Sequence, residues 1–184
     1  MLISERNKHW ETLVNQLRRE LSSIGEDERE WLQQRIALIQ RLQQDLHTLF
    51  SQAGGHDICQ ACSGSCCGHG HNHMTLLNVA AALLAQQLPQ ADFNSTCPFL
   101  THSGCSLDVS VRPFNCITFI CEQIEAHMST EQVAEFYRME KILRAHYTEV
   151  DCRYVGSSPR GLLIGAQRLN GSPLLARNTS FLEN

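Results

Sequence analysis

Residues 51–67 read Ser51-Gln-Ala-Gly-Gly55-His-Asp-Ile-Cys59-Gln-Ala-Cys62-Ser-Gly-Ser-Cys66-Cys67. An amphipathic helical rhythm ends here and a packet of thiols begins, with Ala53, Gly54 and Gly55 breaking the pattern between them. The seam predicts a mainly α protein in three parts: an antiparallel helical hairpin over residues 1–52, a small cysteine-rich metal-binding α domain with irregular loops over 53–155, and an irregular tail over 156–184.

Upstream of the seam, Trp10, Leu13, Val14, Leu17, Leu21 and Ile24 recur at three- and four-residue spacing, with charged and polar residues on the other faces. Gly25 is expected to end this helix in the left-handed conformation, and Asp27 with Glu30 has the spacing of a capping box for the next. The second helix carries Leu32, Ile36, Ile39, Leu42, Leu46 and Leu49. The two stripes either pack on each other and on the cysteine domain, or form a coiled-coil surface for a second copy or a helical partner.

Downstream, the spacing predicts a helix from Thr75 to Leu88 stopped by Pro89. Another is predicted over about Thr130 to Tyr147, opened by a Ser129/Gln132 capping box and burying Val133, Phe136, Tyr137, Leu143 and Tyr147. Glycines and prolines punctuate the chain after Val155, where Leu162 to Ile164 is read as a short strand or an apolar plug docked on the core.

Eight of the nine cysteines form two packets, Cys59, Cys62, Cys66 and Cys67, then Cys97, Cys105, Cys116 and Cys121. Thiolates at such spacing suit a soft or borderline metal better than they suit disulfide geometry. Cys59 and Cys62 are expected to form a knuckle whose backbone amides support the sulfurs, followed by a small turn through Ser63, Gly64 and Ser65. Adjacent Cys66 and Cys67 point in different directions, which suggests two adjacent metals, a cluster, or one ligand beside a supporting thiol. Eight thiolates saturate two tetrahedral zinc sites, whereas a four-iron cluster needs four. The cofactor expected is therefore zinc, or iron as ions or as an iron-sulfur cluster, with both packets converging on the metal.

Three neighbours bear on these thiols. Arg112 is expected either to offset thiolate charge or to pair with Asp108. His69, His71 and His73 alternate, and an extended segment would place all three imidazoles on one side, able to replace a cysteine or to form a labile outer site. His102 reads as a solvated loop residue, and Cys152 as a buried small hydrophobe.

The order of the first packet, Cys97-Pro-Phe-Leu, Gly104-Cys105, Arg112-Pro113, Cys116 and Cys121 resembles the CxxCxxCC family of zinc- or iron-chelating proteins. The resemblance covers about Cys59 to Cys121 and implies metal chelation by the eight cysteines. A similar cysteine pattern occurs in flagellin lysine methylases, which implies an alternative as an iron-sulfur enzyme or electron carrier related to protein lysine methylation. Family members often carry arginine after the double cysteine and again after the cysteine that follows Arg-Pro. Gly68 and Ile117 stand at those places here.

Composition narrows the remaining classes. A formal charge of -4 gives no general attraction to nucleic acid, and no apolar run is long enough for a membrane span. The start of the chain turns charged at once, without a signal-peptide pattern. Abundant free thiols then predict a cytoplasmic protein. Phosphate-cradling, dinucleotide, HExxH and GxSxG motifs are missing, so a non-enzymatic metal-binding role leads.

Overall fold

The computed structural model describes residues 3–62, 65–102, 104–169 and 171–178. The fold is mainly α. Helix α1 (Ile3–Ser23) turns through Ile24 and Gly25 into α2 (Glu26–Gln52), and α3 (Gly55–Ala61) turns off its end. A 3-10 helix (Ser65–Asn72) leads into α4 (Leu76–Leu84). A two-residue ribbon follows, with β1 (Leu100–Thr101) antiparallel to β2 (Gly104–Cys105). Then come a short 3-10 turn (Val109–Val111), α5 (Phe114–Thr118), α6 (Glu122–Glu125), α7 (Thr130–Arg153) and α8 (Leu162–Ala166).

The two stripes of the expected hairpin pack on different partners inside the molecule, α1 on α4 and α8, and α2 on α7 and the Val109–Val111 turn. Trp10, Leu13, Val14, Leu17 and Leu21 of α1 and Leu32, Ile36, Ile39 and Leu46 of α2 are buried in one cluster with α4, α7 and α8. Trp10 meets Phe93 and Phe99 edge to face. The chain after residue 155 belongs to the same cluster through Leu162, Leu163, Leu169, Leu174 and Leu175. Two glutamates of α1 and α2 hold it there. Glu20 accepts the backbone N–H groups of Leu174 and Leu175 at 2.9 and 2.7 Å, and Glu28 accepts from Arg153, Tyr154 and Arg177. Hydrogen bonding to Arg153 is the main cause that lowers the Glu28 carboxyl to about 2.

Several local expectations are corrected. Gly25 is extended (φ -60, ψ 158) and is itself the N-cap of α2, so Asp27 lies in the first turn and caps nothing. Three acidic residues there, Glu26, Asp27 and Glu28, instead favour the positive end of the helix dipole. Helix α4 stops at Leu84, four residues before the expected end. Gln86 adopts φ 55 and its N–H bonds Leu83 O, while Gln87 N–H bonds Ala82 O, the pairing of a Schellman cap made without glycine.

The Ser129/Gln132 capping box forms as expected and starts α7, which runs to Arg153. Tyr137 is exposed and donates to Glu125, because it lies about 100° around the helix from buried Phe136; Met139 takes the inner place. Leu162 to Ile164 is helical, and Leu162 and Leu163 dock on the core. No helix among the described residues is long and apolar enough to cross a membrane.

Candidate metal centre

The thiols sit where the short elements meet. Cys59 lies on α3, Cys66 and Cys67 on the first 3-10 helix, Cys116 on α5, and Cys121 at the N-cap of α6. Cys105 ends β2 opposite Leu100, and Cys97 lies three residues before the start of β1. Helix α3 packs on α6, which carries Cys121 back to the first packet. The proposed small turn at Ser63 and Gly64 lies outside the described residues, as does Ser103.

Electrostatic neighbourhoods divide the eight thiols in two. Burial pushes the Cys59 thiol up, and the charges that add to this belong to Cys66, Cys62 and Cys121. Burial likewise pushes Cys116 far up, reinforced by Cys105, Cys97 and Cys67. Cys67 rises to about 11, first by burial, then through Cys66, Cys105 and Cys97. Cys59 thus feels Cys66, Cys62 and Cys121, and Cys116 feels Cys105, Cys97 and Cys67, while Cys67 responds to Cys66 first among the thiols and so stands between the two sets. Each draws on both packets, and the Cys66–Cys67 peptide joins them.

Cys116 needs a closer look, since the residue as a whole is exposed while its thiol behaves as a buried group. Its sulfur lies 3.5 Å from His73 Nδ1. The surroundings of the sulfur, rather than the outer surface of the residue, govern its chemistry.

Burial pushes the Cys97 thiol up, and the backbone amides of Phe99 and Leu100 act in the opposite direction. Leu100 N–H also closes the turn on Cys97 O at 3.2 Å, and Pro98 between them lacks an N–H and fixes φ. In the first packet Cys62 Sγ donates to Cys59 O at 3.4 Å. The Arg112 charge lowers Cys116 and adds to the Ser110 hydrogen bonds that chiefly lower Asp108, but among the described residues Arg112 and Asp108 form no ion pair, so the expected pairing is not met. Arg112 Nε donates to Leu107 O at 3.1 Å.

The histidine segment is not extended. His69 and His71 lie in a 3-10 helix, where about 120° per residue separates them, so three imidazoles on one side are not formed. His73 alone turns to the thiols; burial lowers its imidazole, helped by His71 and His69. His102 is exposed at the ribbon tip, and Cys152 is half-buried rather than enclosed.

A polar hub beneath Cys116 had no obvious signature in the sequence. Asn78 Nδ2 donates to Arg112 O at 3.0 Å and to Tyr147 Oη at 2.8 Å, and Gln43 Nε2 donates to Arg112 O at 2.6 Å. Both amides are fully buried. They fix the Arg112-Pro113 turn from which α5 and Cys116 project. Asn78 also completes the capping box of Thr75, which explains an amide on an otherwise apolar helix.

Among the described residues, no three His, Cys, Asp or Glu side chains converge closely enough to enclose an ion. Protonated thiols have no mutual attraction to draw them together, and thiolates without a cation repel one another. The donor set nevertheless suits zinc or iron in type and number: two groups of four sulfurs on short elements whose side chains can turn inward. A bound cation would supply the charge that these buried sulfurs lack. No family model, no curated protein and no solved structure matches this chain.

Proposed function

We propose that the chain is a metal-binding protein in which Cys59, Cys62, Cys66 and Cys121 hold one centre and Cys67, Cys97, Cys105 and Cys116 another. The metal is zinc, or iron as ions or as an iron-sulfur cluster. The interlacing of the two packets carries this reading: cysteines up to 62 residues apart in sequence share a neighbourhood, four to each, the number a tetrahedral ion takes. Four sulfurs per ion leave no open position for substrate, which favours a structural or storage role over an enzyme.

Metal and sulfide analysis of anaerobically purified protein tests the reading. Two zinc ions per chain without sulfide is the expected result, and protein that binds neither zinc nor iron overturns it. Stoichiometric iron with sulfide would move the iron-sulfur enzyme or electron carrier to first place. Cys59→Ser and Cys116→Ser should each remove about one of two ions, since the two residues belong to different centres. Loss of every ion from Cys59→Ser and none from Cys116→Ser would defeat the interlaced arrangement.

Association with a second copy or a helical partner is proposed as a lesser part of the function. The apolar side chains left for it on the long helices include Ile3, Leu38 and Ile142. Light scattering of the full chain at high concentration should show a mass above the monomer; a monomer leaves only a different protein as partner.

A further inference from the structure

The segment between the 3-10 helix and α4 is gripped from three directions. At Gly70, a Cβ would lie 2.9 Å from Cys97 Sγ and 3.9 Å from His73 Nδ1, so only glycine lets this turn and Cys97 come together. At Gly161, in a positive-φ conformation, a Cβ would collide with the carbonyl oxygen of Asn72, and the next residue, Leu162, donates to Met74 O at 2.7 Å. Arg6 on α1 donates to His71 O at 3.0 Å and to the Asn72 side chain. His73 N–H closes the turn on Gly70 O at 3.1 Å. A surface connector has no need of this much fixing.

What the fixing achieves is the position of one nitrogen. His73 Nδ1 lies 3.5 Å from Cys116 Sγ and, with Cys97 Sγ, faces the bare side of Gly70. An ion about 2.3 Å from sulfur and about 2.0–2.1 Å from nitrogen, at a tetrahedral angle, holds those two donors about 3.5 Å apart. His73 and Cys116 already have the spacing of two ligands of one ion. The count of donors agrees, because eight cysteines fill two tetrahedral sites and a ninth donor must displace a thiol. Cys67 is the thiol that gives way: it is exposed, whereas Cys97 and Cys105 are half-buried and Cys116 faces His73.

We propose that His73 Nδ1 is a ligand of the ion held by Cys97, Cys105 and Cys116, making this a mixed histidine and cysteine centre with Cys67 as the displaced thiol. The inference rests on the metal-binding reading above and assigns one nitrogen within it. Neutral imidazole replacing thiolate also makes the centre less negative by one charge than its all-cysteine neighbour, so the two centres differ in kind.

X-ray absorption at the metal edge of the full, metal-loaded chain tests this, using zinc, or iron if the chain carries iron. Wild type should return about one imidazole nitrogen to seven sulfurs over two four-coordinate ions. In His73→Ala the nitrogen signal should vanish, either with one ion lost or with Cys67 restoring an all-sulfur shell. The double variant His69→Ala and His71→Ala should keep it. His73→Cys should load fully with sulfur alone, which separates loss of a ligand from loss of the fold. All-sulfur coordination in wild type, or nitrogen that survives His73→Ala, overturns the proposal while leaving the metal reading intact. A chain that binds no metal at all removes the parent reading instead.

Discussion

Helices α1, α2 and α7, of 21, 27 and 24 residues, bury leucine, isoleucine and aromatic side chains along continuous stripes, whereas the thiols ride on elements of two to eight residues. The long helices gain most of their stability from apolar burial. The thiol elements are positioned by glycine approaches, single amides and the Asn78/Gln43 hub, and burial penalises the very ionisation that a metal requires. The difference teaches that the two regions are ordered by different forces: apolar burial sets the frame, whereas the proposed centre would need a cation to make convergence of its sulfurs favourable.

The sharpest way to break that comparison is to attack the frame. Phe136 is completely buried, and Phe136→Ala should cost about 3–5 kcal/mol in urea denaturation, whether or not metal is bound. Equal losses with and without chelator support a frame independent of the centre; unfolding of wild type by chelator alone ends it. Hydrogen exchange adds resolution. Chelation should speed exchange over 59–73 and 97–121 while leaving α1, α2 and α7 protected.

A smaller effect tests the joint between the two regions. Asn78→Ala removes a fully buried amide that serves Arg112 O and Tyr147, and should cost about 1–3 kcal/mol. It should also weaken metal binding at the Cys116 centre and spare the Cys59 centre. Loss of stability with both centres unchanged would show that the hub is only packing.

The smallest expected effect lies far from the thiols. The Glu28 carboxyl is lowered to about 2, so its ion pairs stabilise the fold above the ordinary carboxylate range and lose that contribution as pH falls from about 4.5 towards 2. With allowance for solvent screening, Glu28→Gln should cost about 1–2 kcal/mol at pH 7. The gap between variant and wild type should close steadily below pH 4.5. A gap that is constant with pH would assign the loss to geometry rather than charge.

The frame was largely legible because a 3.6-residue rhythm survives in sequence: the Trp10 to Leu21 stripe and the Ser129 cap read directly. Gln43 did not, since an amide on the inner face matters only once Arg112 O arrives from another element. The end of α4 was hidden because Gln86, not glycine, takes the left-handed turn. At the site, residue type was legible and grouping was not. Whether Cys121 faces Cys59 or Cys97 depends on how α6 returns to α3, and the choice of His73 over His69 and His71 depends on a 3-10 helix where alternation suggested extended chain.

Glu20 and Glu28 have a consequence for synthesis. Apart from Gln16, which donates to Glu20 within α1, their partners are Arg153, Tyr154, Leu174, Leu175 and Arg177, so α1 and α2 are made long before those contacts can form. Sequence separations of 125 to 155 residues make closure of this fold a late, slow event. Throughout that interval the nascent chain displays leucine stripes and free thiols together, the two features most exposed to aggregation and to oxidation.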